Sequence, residues 1–506
     1  MLLHSDAVTG ADMGASLVES MTPERKQEVL EMIDDAIEED QLKPTNITRI
    51  SSESSLEVLD VLWELLDPRT GIVTGLKRGR PLFSFTLRRL TLKLVNREGQ
   101  LPSAFYLDGV KSIEDESRGA GGFADIYYGQ WKEHFVALKR LRPPSGQQHL
   151  DPVSEMQLCR ESLMWKKLEH ANILPFWGVS KDAFSRSICM VLPWMQKGSV
   201  RAHMRKLREA GTWSGQEHTL AVNVWLYQIC LGLTYLHGEG IVHGDLHGGN
   251  ILIDDADNVR LTDFGLGLLA EANPNNYASK HGNGSFPFRA PELHDPSKFG
   301  LDDTRHTRES DIYAFGCVVW ELYTETVPFG NIGFYKIAEK VVNGERPPRP
   351  TTQDGLDISE DMWTITQRCW VQTIADRPPA SQVAEDIKNV VDVELPGAIE
   401  RMKTGQIDIP TTPSATVNQK PEFLSPVIAA GTSASASLVP PPSTVQAPTP
   451  APTTEVGEKY PRSSDSVARG KPEQLPSIKR KESEKAASTQ RGGVHTPEFR
   501  CKCVVM

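Results

Sequence analysis

Cysteine is scarce in this chain: there are seven among 506 residues, with no CxxC pair and no His/Cys spacing of the kind that holds a metal. That excludes a disulfide framework and fits a reduced compartment, the cytoplasm. Positive charge is also short. Against 66 Asp and Glu stand 55 Lys and Arg, and the net charge of −11 argues against a nucleic-acid binder, because neutralising phosphates needs clustered cations. No run approaches the ~18 consecutive apolar residues of a membrane span, and the opening MLLHSDAVTG lacks a basic segment followed by an apolar one. Neither a spanning segment nor a secretory signal is expected. What is present, 39% hydrophobic residues in a long chain, allows one large two-lobed domain or several small ones around a sizeable core.

Thr22, Pro23 and Glu24 form a helix start, after which Leu30, Ile33 and Ile37 recur at helical spacing until the acidic run Glu38–Asp40. Leu56, Leu59, Leu62 and Leu66 repeat the pattern up to Pro68, and a third apolar stretch runs from Phe83 to Val95 and ends near Gly99. Residues 1–105 are therefore expected to be a helical extension beside or against the next domain, structural and solvated rather than catalytic, and a candidate partner-binding element. From Lys403 the composition turns to Pro, Thr, Ser and Ala, with too few large apolar residues to offset ordering entropy. Residues 394–500 are expected to be a mostly disordered tail.

The residues that carry chemistry lie between. HGDLHGGN (His243–Asn250) is followed by DFG (Asp263–Gly265), which brings Asp245, Asn250 and Asp263 into one short stretch. Oxygen ligands at this spacing suit phosphoryl transfer: one carboxylate orients an attacking hydroxyl, while an amide oxygen and a second carboxylate hold Mg²⁺. Alone, an HxDxxxxN string is common turn material. Upstream, RGAGGFADIYYG (Arg118–Gly129) reads as two strands around a glycine-rich turn, with Gly119, Gly121 and Gly122 letting backbone amides approach phosphates. VALK (Val136–Lys139) forms the next strand. Downstream come APE (Ala290–Glu292), the helix start DIYAFG at Asp311, then Cys369, Trp370, Arg377 and Pro378.

In this order the motifs resemble the protein-kinase domain over roughly residues 106–393, a set far more specific than any one member. The resemblance implies an α+β, two-lobed fold with a mostly antiparallel β N-lobe (about 106–193) and a mainly helical C-lobe (about 197–393), ATP and Mg²⁺ as cofactors, and protein substrates. Lys139 is then the phosphate-bridging lysine, held by Glu161 in CRESLMWKKLEHANIL, with Glu155 as the alternative. Gly119, Ala120, Gly121, Gly122, Phe123 and Ala124 cover the phosphates. Asp245 orients the hydroxyl, Asn250 and Asp263 ligate metal, and Phe264 packs behind them. Leu192 closes the back of an adenine pocket, with Pro193, Trp194 and Met195 as hinge and Ile126, Ala137 and Leu252 around the ring. Those apolar positions equally suit an ordinary core. Glu292 and Arg377 are spaced like a structural ion pair.

GSFPFRAPE from Gly284 is similar to the tyrosine-kinase-like group, whose members mostly phosphorylate Ser and Thr, and ELHDPSKFGLDDTRHTRESDIYAFG resembles the large kinase set of mushroom-forming fungi. The expected function is ATP- and Mg-dependent phosphorylation of protein Ser/Thr. The alternative is a pseudokinase that docks partners, and holds nucleotide, without efficient turnover. A small-molecule kinase is disfavoured because those lack an APE-type loop.

Three departures from the family pattern bear on rate. Ala124 replaces the third glycine, a tolerable change if its φ is negative. Gly244 replaces the arginine before the catalytic aspartate and removes a cation that would clamp a phosphorylated loop. His247 replaces a lysine and is expected to act near the γ-phosphate as an imidazolium. The chain ends Cys501, Lys502, Cys503, Val504, Val505, Met506, which resembles a prenylation box on Cys503, with Cys501 a possible acyl site. Such an ending arises by chance in on the order of one chain in several thousand. One prenyl chain binds membranes marginally, and residues 459–506 add 11 Lys or Arg against 5 Asp or Glu. A peripheral location at the cytoplasmic face of a membrane is expected.

Overall fold

The computed structural model describes residues 17–42, 50–66, 80–120, 124–142, 152–184, 187–211, 215–264, 285–330, 332–350, 358–394 and 396–397. The helical extension holds α1 (Leu17–Ser20), α2 (Pro23–Leu42), α3 (Ser55–Leu65) and α4 (Arg80–Glu98). Their register follows the apolar spacing: Ile33 and Ile37 of α2, Leu59 and Leu62 of α3, and Leu87, Leu90 and Leu94 of α4 are buried. Of the two placements the sequence allows, beside or against the next domain, the layer takes the second. Those side chains share one continuous apolar core with Leu158, Cys159 and Leu163 of α5 (Pro152–Trp165), and each fully buried Leu or Ile contributes roughly 1.5–3 kcal/mol.

The β lobe is built from β1 (Lys111–Ser112), β2 (Gly119–Ala120), β3 (Ala124–Trp131), β4 (His134–Leu141), β5 (Gly178–Ser180) and β6 (Cys189–Pro193). Among the described residues these form a six-stranded sheet ordered β1-β3-β4-β6-β5, with β2 also on β3. All pairs are antiparallel. The period of two along β4 sends Val136 and Leu138 into a small core with Trp131 and Val191, and turns Ala137 and Lys139 to the opposite face.

The second lobe contains α6 (Val200–Glu209), α7 (Gly215–Gly238), the hairpin β7 (Ile251–Ile253) and β8 (Val259–Leu261), then α8 (Pro291–His294), α9 (Arg308–Thr324), α10 (Phe334–Val342), α11 (Glu360–Cys369) and α12 (Ala380–Glu394). Within α7, His218–Gly238 is long and apolar enough to cross a bilayer by length and composition, but Val222, Trp225, Leu226, Ile229 and Leu233 are buried in the lobe. α9 is buried along most of its length and starts from a capping box in which the Thr307 hydroxyl accepts the Ser310 N–H and the Ser310 hydroxyl accepts the Thr307 N–H. This helix is the frame for the loop that carries Asp245. The expected tail (394–500) lies almost wholly outside the described residues, as do Gly121, Gly122, Phe123, Gly265, Cys501 and Cys503.

Candidate active site

Lys139 leaves β4 on the cleft side and is 5% exposed. Its ammonium donates to Glu161 Oε1 at 3.0 Å and to Asp263 Oδ1 at 3.0 Å. Burial pushes the lysine's pKa down, but the carboxylates of Asp263 and Glu161 more than offset this and leave it above its ordinary value. Glu161 reaches the cleft because it shares a face of α5 with Leu158 and Trp165, which are buried, whereas the alternative Glu155 is exposed. Asp263 adopts φ +56°, a left-handed backbone that is strained for a non-glycine residue. Its neighbour Phe264 packs edge-on to Trp165 at 4.8 Å and lies 6.2 Å from His243.

The loop bearing Asp245 is held from beneath. Asp311, at the start of α9, accepts the His243 N–H at 2.7 Å, the Gly244 N–H at 2.8 Å and a contact from His237 Nε2 at 2.9 Å. Burial alone would raise the Asp311 pKa, but the hydrogen bond and charge of His237, with further contributions from His243 and the Gly244 N–H, bring it below the usual carboxylate value. Gly244 sits at φ +77°, where any other residue would be strained. The loop geometry thus needs no arginine–phosphate clamp, and phosphatase treatment of the purified chain is expected to leave turnover within about twofold. Loss of most activity on dephosphorylation, reproduced by Ser279→Ala, would contradict that. Ser279 and Tyr277 lie outside the described residues.

Asn250 donates through Nδ2 to the Asp245 backbone oxygen at 2.9 Å and to Asp245 Oδ2 at 3.2 Å, which leaves its amide oxygen for a cation. Asp263 keeps its second carboxylate oxygen beyond Lys139, with the side chain one-third exposed. Among the described residues no cluster of three or more His, Cys, Asp or Glu could hold a metal by itself. The donor set therefore fits a hard cation that completes its shell with phosphate oxygens and water, the habit of Mg²⁺.

Ala137 and Leu192 are paired across β4 and β6, Ile126 and Lys139 across β3 and β4, and Leu252 is the middle residue of β7. Leu192 is buried, while Ile126, Ala137, Pro193, Met195 and Leu252 are half-buried. The Trp194 ring meets Tyr128 edge-on at 4.8 Å, and the Trp194 backbone N–H donates to the Phe135 carbonyl at 3.2 Å. Gly119 and Ala120 form β2 against Asp125 and Ile126. Ala124 has no positive φ and sits in regular β3 backbone, so its methyl costs no strain.

His247 is held within its own loop. Its Nδ1 accepts the Gly249 N–H at 2.9 Å, and Nε2 stands 3.9 Å from Asp245 Oδ2. Burial, reinforced by the Arg201 charge, pulls the imidazole pKa down to about 4. Burial thus opposes the imidazolium while no nucleotide is bound, and the ring braces its loop through the bond to Gly249. Since the low pKa puts its charge change well below neutrality, kcat is expected to show no His247-dependent loss between about pH 6 and 8, and His247→Gln to keep the wild-type profile shape there. A wild-type alkaline loss that disappears in His247→Lys would instead show an imidazolium acting beside the phosphates.

Sequence reasoning did not single out Glu321. This buried carboxylate of α9 accepts the Gly248 N–H at 2.8 Å and the Arg201 Nε–H at 2.6 Å. A Cβ on Gly248 would fall 2.8 Å from Glu321 Oε2, and one on Gly249 would fall 2.7 Å from the His247 ring, so the glycine pair is dictated by packing. No local signal marks this pairing, because the two partners are 73 residues apart. Arg377 and Glu292 meet through two bonds of 2.6 and 2.7 Å, with side chains 0% and 2% exposed.

Residues 114–387, more than half of the chain, match the family model described as protein tyrosine and serine/threonine kinase. The chain belongs to this family. It is 28% identical over 271 residues to the serine/threonine/tyrosine-protein kinase HT1 of Arabidopsis thaliana, an alignment covering 52% of this chain and 62% of that protein. Similarity to the serine/threonine-protein kinase STY46 of the same plant is 25% over 272 residues, covering 54% of this chain and 43% of the relative. A melanoma receptor tyrosine-protein kinase of Xiphophorus maculatus is 26% identical over 346 residues, 64% of this chain and 27% of that protein. The chain thus spans less than two thirds of the length of these relatives.

Proposed function

We propose that this kinase-family chain is catalytically active and transfers the γ-phosphate of Mg·ATP to Ser or Thr of proteins. The observation that carries the reading is Lys139 held between Glu161 and Asp263, with Asp245 and Asn250 hydrogen-bonded beside it. Bound Mg²⁺ would supply charge neutralisation on the phosphates. Lys139 would fix the nucleotide's phosphates, Asp245 would accept and orient the proton of the attacking hydroxyl, and Asn250 and Asp263 would hold the cation. The Ser/Thr preference draws on GSFPFRAPE and on the serine/threonine-protein kinase STY46 among the relatives. Phosphoamino-acid analysis after incubation with labelled Mg·ATP and a mixed protein substrate tests it. Phosphoserine and phosphothreonine are expected, and phosphotyrosine alone would contradict the preference.

A binding module without turnover is the second reading, favoured by a histidine at 247 where the family places a lysine. The membrane-surface setting draws on the Cys503 motif alone. Cys503→Ser is expected to move the protein from the membrane to the soluble fraction, and an unmodified Cys503 in the terminal-peptide mass would overturn that setting.

A further inference from the structure

The aromatic contacts around Phe264 do not stop inside the kinase domain. Phe264 meets Trp165 of α5 at 4.8 Å, Trp165 stacks on Phe176 at 5.9 Å, Phe176 lies 6.4 Å from Phe105, and Phe105 meets Trp63 of α3 edge-on at 4.7 Å. The ladder therefore runs from the metal-side loop out into the helical extension. We propose that Trp63 and Phe105 are positioning residues for the catalytic centre: the helical extension seats the C-terminal end of α5 through them and so keeps Glu161 on Lys139.

Four further observations bear on α5 and on the segment that carries Phe105. Lys166 and Lys167 follow directly after the helix. The Lys167 ammonium lies 4.6 Å above the Trp63 ring, and that of Lys166 lies 5.7 Å over Phe105 and 5.8 Å over Phe176, so two cations cover the aromatic faces. The segment that carries Phe105 is itself pinned to α3. Buried Asp60 accepts the Ser103 N–H at 2.6 Å and the Ser103 hydroxyl at 2.8 Å, which fixes the turn in which Phe105 is fully buried. Beyond it, the Leu107 N–H donates to the Val179 carbonyl at 2.8 Å and ties the segment into the sheet beside β5. On the other side α4 packs along α5, with the Cys159 thiol 3.7 Å from the Gly99 carbonyl.

Glu161 lies one turn before Trp165, and Lys139 Nζ stands 5.8 Å over the Trp165 ring. A tilt of α5 that unseats Trp165 must therefore move the carboxylate that holds the lysine. Packed aromatic contacts have discrete arrangements, so loosening the outer rung is felt at the inner ones. The activity consequence rests on the proposed function, whereas the effect on α5 does not.

The test uses the full chain with Trp63→Ala, Phe105→Leu and the conservative Trp63→Phe. Amide hydrogen exchange in residues 152–165, Mg·ATP affinity and kcat are measured on each. Trp63→Ala is expected to speed exchange in α5 about tenfold and to lower kcat about tenfold, with Mg·ATP affinity within about threefold of wild type. Trp63→Phe should restore most of both effects. Trp63→Leu keeps an apolar filler without the aromatic edge and substitutes for the alanine variant if that chain fails to fold. Faster exchange confined to α2 and α3, with α5 unchanged, would overturn the proposal, as would a loss of kcat that Trp63→Phe does not recover. A wild-type chain without turnover would refute the kinase reading instead, and exchange in α5 would then decide the positioning role by itself.

Discussion

Asp245→Asn is expected to lower kcat by about a thousandfold while leaving Mg·ATP affinity near wild type, because it removes a proton acceptor used only when the hydroxyl attacks. The substitution is isosteric, and the Asn250 side chain still has the residue 245 backbone oxygen to donate to at 2.9 Å, so the loop should keep its shape. Asp263→Ala should act differently. It takes away the proposed cation ligand and one of the two carboxylates that hold Lys139, leaving Glu161 at 3.0 Å as the lysine's partner. Both kcat and nucleotide affinity should fall. Steady-state kinetics with a direct binding measurement separates the two variants, and indistinguishable behaviour would mean that the carboxylates have been assigned the wrong roles.

Arg377→Ala should cost about 3–5 kcal/mol of stability, the loss expected when one member of a buried ion pair is removed and the other stays uncompensated. Here the stranded group would be Glu292, 1% exposed and fixed beside the segment that ends at Ala290. Arg377 also donates to the Glu309 carbonyl at 3.1 Å and the Val371 carbonyl at 3.1 Å, and lies 5.2 Å over the Tyr313 ring. Its removal therefore unties three segments at once. Urea denaturation reads the change directly. A shift under ~1 kcal/mol would show that the site admits water, and the double variant Arg377→Met with Glu292→Leu should recover much of the loss, because it leaves no charge behind.

The helices of the extension were legible because their apolar residues keep helical spacing over several turns: Leu30, Ile33 and Ile37 mark α2, and Leu59 and Leu62 mark α3. The metal-side loop was legible because Asp245, Asn250 and Asp263 carry their chemistry in types and spacing that short sequence preserves. What was hidden depends on distant partners. The orientation of His247 is set by a bond to Gly249, and its electrostatics by burial and by the charges of Arg201 and Glu321, partners that do not announce themselves next to the histidine. The same holds for Trp63, which looks like one more apolar residue of α3 until Phe105 and Lys167 are placed against it. Helical periodicity names a buried face but not the element that will cover it.

The central claim is that this site turns over and does not merely hold nucleotide. The most direct measurement is transfer of labelled γ-phosphate from Mg·ATP to protein by purified wild type, run beside Asp245→Asn prepared identically. The account predicts steady, Mg-dependent incorporation by wild type and about a thousandfold less by the variant, with both chains binding Mg·ATP alike. Saturable nucleotide binding by wild type with no transfer above the Asp245→Asn level would contradict it and identify a binding module built on a kinase fold.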